Sequence, residues 1–358
     1  MSSDAGAEPR RKVFFLGATG YLGSQFLVLL ARSILAPTTH IVALVRNVTP
    51  DKEKRLKEVY HNLSVIEGDL DSHDIVKEQA SNAQYVINCA SSDNDTCVRN
   101  ILIGLEERQR RDPSHPPLYI QVSGLAIAND NARGEKVEES TIPVYTDIGF
   151  SLEQLPPGGP HWNCDTLISA AGSPKDSPLR TIIAYPGWIY GVGEGMWYRK
   201  TTAALRVFIG ACKSLQQMGT WGPGHNSISS IHVKDAANAL LMIFKRAVAG
   251  NMDVGTGGHY FLASDEPTVP FREIMGVIGD VLYKQKVFAN GGSRPLPASV
   301  TDAYGELGWV LLGGNHRVKA SRMKRLGWTP SESRKISLLE SLPTEVQIAL
   351  REDKTLLA

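Results

Sequence analysis

Three features of the 358-residue sequence predict an α/β protein: a doubly wound parallel sheet followed by a smaller C-terminal part. Short, continuously apolar runs alternate with amphipathic helical stretches from Val13 to about residue 263, as strands buried on both faces of a parallel sheet require. A glycine-rich turn, GATGYLG, separates the first apolar run from the first helix. Beyond Pro186 the alternation weakens, and Gly-, Trp- and Tyr-rich segments interleave with it.

The elements follow in order. VFFLG (13–17) reads as a strand, and YLGSQFLVLLARSIL behind it carries helical spacing. HIVALVR (40–46) is a second strand, followed by a charged helix from Asp51 to Tyr60. LSVIEGD (63–69), YVINCA (85–90), LYIQVSG (118–124) and LRTIIAYPG (179–187) are the third to sixth strands. After the fourth, Cys97, Val98, Ile101, Leu102 and Leu105 form the apolar stripe of a helix. ISSIHVKDAANALLMIFKRAV returns to strand-then-helix, HYFLA (259–263) is a last sheet strand, and FREIMGVIGDVLYKQ is an amphipathic helix. Residues 11–190, with about 228–263, are assigned to the sheet domain; 191–227 and 264–345 are assigned to the smaller substrate-binding part.

Composition narrows the function. Hydrophobic residues at 42% and charged residues at 21% are ordinary for a water-soluble chain, and a formal charge of +1 offers no broad attraction for nucleic acid. The four cysteines make no CxxC and no metal-type cluster, as expected of free thiols in a reducing, cytoplasmic setting. Residues 1–10 read as a disordered lead without an apolar core, and no apolar run reaches bilayer length. A small-molecule substrate is the expected partner, and a homodimer is compatible with the chain.

GATGYLG is the strongest motif. Gly17, Gly20 and Gly23 are spaced GxxGxxG: the first permits a tight turn, the second lets a pyrophosphate approach the backbone, the third allows close helix packing. Thr19, Tyr21 and Leu22 complete the loop, whose helix N-terminus offers free N–H groups and a positive dipole end. At the end of the second strand stands Arg46, where a carboxylate would bind a ribose 2′-hydroxyl; arginine suits a 2′-phosphate, so NADP(H) is expected over NAD(H). Asp69 and Leu70 are expected beside the adenine, and Ala90 and Ser91 along the cofactor's far side.

The stretch PGGPHWNCD opens another helix. Residues four apart share a helix face, so His161 and Asp165 read either as an acid–base pair or as a helix start with an ordinary cap. Cys164 lacks a basic neighbour in sequence and reads as an inert thiol. Trp188, Tyr190, Trp197, Tyr198 and Trp221 suit either a hydrophobic ligand or core packing. His232 reads as a strand residue bonded to backbone, and Asp235 as an N-cap or first-turn acid.

GATGYLG, EGDLDS, VINCAS, YIQVSG, YPGWIYGVG and IHVKDAANAL together resemble the extended short-chain dehydrogenase/reductase superfamily, which includes NAD-dependent epimerases and dehydratases and the NmrA-like sensors. The resemblance implies a Rossmann fold, with Pro186 and Gly187 near the nicotinamide. It also implies a Ser or Thr after the fifth strand and a Tyr-x-x-x-Lys on the next helix. None of the eleven tyrosines has lysine four residues later. By position His161 and Asp165 replace the Tyr and Lys, and the serine corresponds to Gly124 or, one place early, Ser123. The expected function is reduction of a small, largely apolar molecule by a variant relay. The alternatives are an isomerase or cyclase in the inherited pocket and a non-enzymatic NADP(H) sensor.

Overall fold

The computed structural model describes residues 11–173, 178–195 and 199–357. Seven strands form one sheet: β1 (Arg11–Leu16), β2 (Thr39–Val45), β3 (Leu63–Glu67), β4 (Tyr85–Asn88), β5 (Leu118–Val122), β6 (Arg180–Pro186) and β7 (His259–Leu262). Their order is β7-β6-β5-β4-β1-β2-β3 and every pairing is parallel. The chain winds outward from β1 in one direction and returns through β4 to wind in the other. The crevice beyond the carboxyl ends of β1 and β4 is therefore the switch point at which such sheets bind ligands.

Both faces of the sheet are covered, which is why its strands are continuously apolar. On one face Val13, Phe15, Ile41 and Ile182 pack with Phe26 of α1 (Tyr21–Ala31) and with Leu240 and Phe244, which lie on the long helix Val233–Val248. On the other, Phe14, Val42, Val86 and Tyr119 meet α3 (His73–Ser81), α4 (Asp95–Arg111) and α5 (Trp162–Ala171); α2 (Pro50–Val59) lies between β2 and β3.

A third core joins α6 (Ala203–Cys212), α8 (Phe271–Lys284) and a C-terminal helix, with the Val233–Val248 helix taken as α7. That last helix, α10 (Leu338–Glu352), follows α9 (Gly305–Gly313) and begins at a capping box, Ser337 with Glu340, that the sequence reading passed over. A short parallel pair, Val144–Thr146 with Arg317–Lys319, ties this part to the sheet domain, within which Trp188–Tyr190 pairs with Ser230–His232. A polar chain does the same. Tyr21 in α1 donates its hydroxyl to the Gly191 carbonyl, and the Gly191 N–H donates at 2.8 Å to the buried carboxylate of Glu345 in α10.

No helix among the described residues is long and apolar enough to cross a membrane.

Candidate active site

The glycine loop folds as its spacing requires. Gly17 has φ +92, and a Cβ there would sit 2.7 Å from the Cys89 carbonyl carbon; one on Gly23 would sit 2.1 Å from the Gly17 oxygen. Both positions exclude any side chain, so β1, β4 and α1 close on one another through backbone alone. Gly20 is the N-cap of α1 with no side-chain cap and no acid in the first turn, which leaves the first helical N–H groups unspent.

These amides open on a cleft of about 660 Å³ lined by Gly17, Thr19, Gly20, Arg46, Asp69, Leu70 and Ala90, together with Lys52 and Arg199. Lys52 Nζ donates to the carbonyls of Arg46 and Asn47 at 2.8 and 2.7 Å, fixing the turn after β2 and adding charge beside Arg46. Asp69 is spent locally. The Ser72 hydroxyl, with backbone N–H groups and the Arg46 charge, holds its carboxyl below the usual range, and it closes the turn ahead of α3. A cradle that a Cβ would fill, an uncapped helix N-terminus and three cations fit a dinucleotide with its phosphates at α1.

Three residues expected in the cleft contribute differently. The Tyr21 ring points to Gly191 and Leu22 packs in the core, so each offers the cleft only backbone. Ser91 does not line it: its Oγ accepts the Asp93 N–H and its carbonyl accepts Asn88 and Gln121 side-chain amides.

A second cavity, about 230 Å³, lies past the end of β6, where Pro186 and Gly187 form part of its wall. Its other walls are chiefly Leu125, Trp188, Phe208, Ile228, Phe271, Leu311 and Leu312, with His161 and His316 as its titratable groups. Trp188 is stacked on Phe208 at 5.6 Å and 9° and meets the edge of Phe271. Tyr190 and Trp221 correct the sequence expectation. Tyr190 is buried with its hydroxyl donated to the Ile336 carbonyl, and Trp221 is buried against Tyr304; neither lines the cavity. Both fill the third core, where large aromatics serve packing. Trp197 and Tyr198 lie outside the described residues.

The pairing of His161 with Asp165 is also corrected. His161 precedes the helix, as an N-cap in the left-handed region at φ 67, so the helical four-residue rule does not govern its ring. Its backbone N–H and its ring Nδ1–H both donate to the same oxygen of Asp93, at 3.0 and 2.9 Å. Because a carboxylate only accepts, Nδ1 carries the proton and Nε2 is left on the cavity side. Nε2 would lie 2.8 Å from a Cβ on Gly124; the absent side chain there is what makes room for the ring.

Asp165 turns inward. It is fully buried and accepts the Ser123 hydroxyl at 2.7 Å on one oxygen, while its other oxygen has no partner. Burial pushes its pKa up to about 7, against the lowering effect of Ser123 and His161. The Ser123 hydrogen is thus committed to Asp165. Cys164 is buried, and desolvation raises its thiol to about 12, so it is no nucleophile at neutral pH. His232 caps α7 by accepting the Lys234 N–H, and Asp235 accepts the N–H groups of Glu332 and Ser333. No group of three or more His, Cys, Asp or Glu among the described residues is arranged to hold a metal ion.

The fold is that of a doubly wound α/β protein whose cleft fits a dinucleotide, with an apolar cavity beside it. Residues 13–102 match the family model for the NAD dependent epimerase/dehydratase family. The chain is 24% identical over 335 residues to the oxidase ucsJ of Acremonium sp, spanning 89% of this chain and 93% of that protein. Two solved structures share the fold. The dTDP-glucose 4,6-dehydratase of Bacillus anthracis, in complex with NAD, superposes with a TM-score of 0.62 at 16% identity over 97% of this chain and 99% of that one. The UDP-glucose 4-epimerase of Thermotoga maritima, with UDP-glucose, gives 0.58 at 14% identity over 96% and 99%. The motifs, the family match over residues 13–102 and the architecture are similar to those of the extended short-chain dehydrogenase/reductase superfamily.

Proposed function

We propose that the chain is an NADP(H)-dependent reductase of a small, largely apolar substrate, with His161 and Asp93 supplying the proton in place of tyrosine and lysine. The observation that carries this reading is the ring of His161: Nδ1 tied to Asp93, Nε2 turned to an apolar cavity at the end of β6. A nicotinamide cofactor is supported by the family match and by the NAD held in the related dehydratase; its phosphorylated form rests on Arg46, with Lys52 and Arg199 beside it. The oxidase name of one relative supports redox chemistry.

The residues divide the work plainly. Gly17, Gly20 and the first amides of α1 would hold the phosphates, and Arg46 the 2′-phosphate. Bound in reduced form, the nicotinamide would supply the hydride, and with it the two electrons, that a substrate carbon accepts. His161, protonated, gives its Nε2 proton to the oxygen on which charge develops, and Asp93 stabilises the imidazolium before transfer. Trp188, Phe208 and Phe271 exclude water from the reacting centre.

A second reading is an isomerisation or cyclisation in the same cavity. It is favoured by Asp165, which stands in the lysine position and already holds the Ser123 hydrogen, removing one donor to an alkoxide. Incubation with NADPH and a panel of carbonyl, imine and enone compounds decides between the two. Cofactor consumption that His161→Phe abolishes supports the reductase; product with NADPH unchanged overturns it.

A further inference from the structure

The apolar cavity has a second imidazole that the relay does not use. His316 stands between α9 and the strand Arg317–Lys319, and its backbone is fixed on both sides: its N–H donates to the Ser227 carbonyl at 3.0 Å, and its carbonyl accepts the Ser229 N–H at 2.8 Å. The ring is fixed as well. Nε2 lies 3.2 Å from the Val310 carbonyl oxygen, which can only accept, so the proton is on Nε2. Nδ1 is then a lone pair. It makes no hydrogen bond to the described residues, and the ring forms part of the cavity wall. Burial, opposed by the Val310 hydrogen bond, lowers the pKa to about 4, which keeps the ring neutral and the lone pair available.

We propose that His316 is a specificity-determining residue: its Nδ1 accepts a hydrogen bond from a hydroxyl or N–H group on the apolar body of the substrate. An acceptor fixed in an apolar wall rewards a matching donor and penalises its absence, because the lone pair is otherwise left dry. The cavity, at about 230 Å³, suits a compact molecule of one or two rings. The substrate class is thus a small cyclic or aromatic carbonyl compound carrying a hydroxyl or N–H group, held by its donor at His316 while its reacting oxygen meets His161. This inference rests on the reading of the cavity as the substrate site.

The test is calorimetric binding to the NADPH-loaded protein of meta- and para-hydroxyacetophenone against their methyl analogues, which match hydroxyl with methyl in size. The wild type prefers at least one hydroxyl probe by about fivefold, the worth of one neutral hydrogen bond. His316→Leu reverses that order in favour of methyl. His316→Asn, which keeps an acceptor close to the Nδ1 position, retains the wild-type order. Equal binding of hydroxyl and methyl probes to the wild type, an unchanged preference in His316→Leu or loss of the preference in His316→Asn overturns the proposal and leaves the cavity reading intact. If NADPH binds and no probe does, the cavity reading itself falls, and this inference with it.

Discussion

His161 and Asp93 share two hydrogen bonds on a single carboxylate oxygen, one from the ring and one from the backbone, across 68 residues of chain. The ring is therefore tied to the same carboxylate oxygen as its own backbone at the start of the helix. The Asp93 carboxyl is held below its ordinary range by the His161 hydrogen bonds and charge, which outweigh the desolvation opposing them.

Replacing Asp93 with Asn keeps its size and removes the charge that stabilises an imidazolium. The expected result is a fall in kcat of about 100-fold, the lower end of acid–base contributions, because the carboxylate is more than half exposed and water takes over part of its task. Steady-state kinetics with NADPH held saturating read this, and cofactor affinity stays unchanged.

Gly124→Ala tests the room made for the ring. The added Cβ would meet Nε2 at 2.8 Å, so His161 must leave its position or the loop must shift. A loss in kcat similar to that of Asp93→Asn is expected, with the melting temperature within a few degrees of wild type. Full activity in this variant would show that the ring position is immaterial.

Arg46→Ala discriminates the two dinucleotides. Losing charge-assisted contacts to a 2′-phosphate weakens NADPH by about 10–100-fold and leaves NADH within about twofold. Fluorescence titration of both cofactors measures the ratio. Equal weakening of both would assign Arg46 to the shared part of the cofactor.

Asp165 makes stability depend on pH in an unusual direction for a carboxylate. With a folded pKa of about 7 against 3.8 for the free group, the folded state keeps a proton that the unfolded chain has released. Its contribution is most favourable below about pH 4, declines as pH rises toward about pH 7, and is level above that. Asp165→Asn mimics the protonated form, so its stability relative to wild type grows over the same window, by about 1.4 kcal/mol per pH unit at most. Urea denaturation at several pH values between these limits checks the sign.

Much of this was legible in the sequence. All seven strands were marked by continuous apolar runs, and the cofactor loop by three glycines whose spacing is a steric requirement. The partner of His161 was not. Asp93 lies in the turn before α4, and a contact across 68 residues leaves no periodic trace. The helical spacing of His161 and Asp165 misled because the left-handed backbone at His161 takes the ring off the helical face. Aromatic content likewise fails to separate Trp188, which lines the cavity, from Tyr190 and Trp221, which fill the core, since burial is what all three side chains seek. The helix α10 was not read from the sequence, because its Ser337–Glu340 capping box stands out only when the two residues are read together.

The chain of contacts from Tyr21 through Gly191 to Glu345 joins α1, whose N-terminus faces the cleft, to α10. Any coupling that these contacts carry between the loop and α10 would act in both directions, because linkage is reciprocal. Whatever free energy a docked α10 lends to cofactor affinity, a bound cofactor returns as protection of α10 against unfolding and proteolysis, so the tail of the chain reports on a site it does not line.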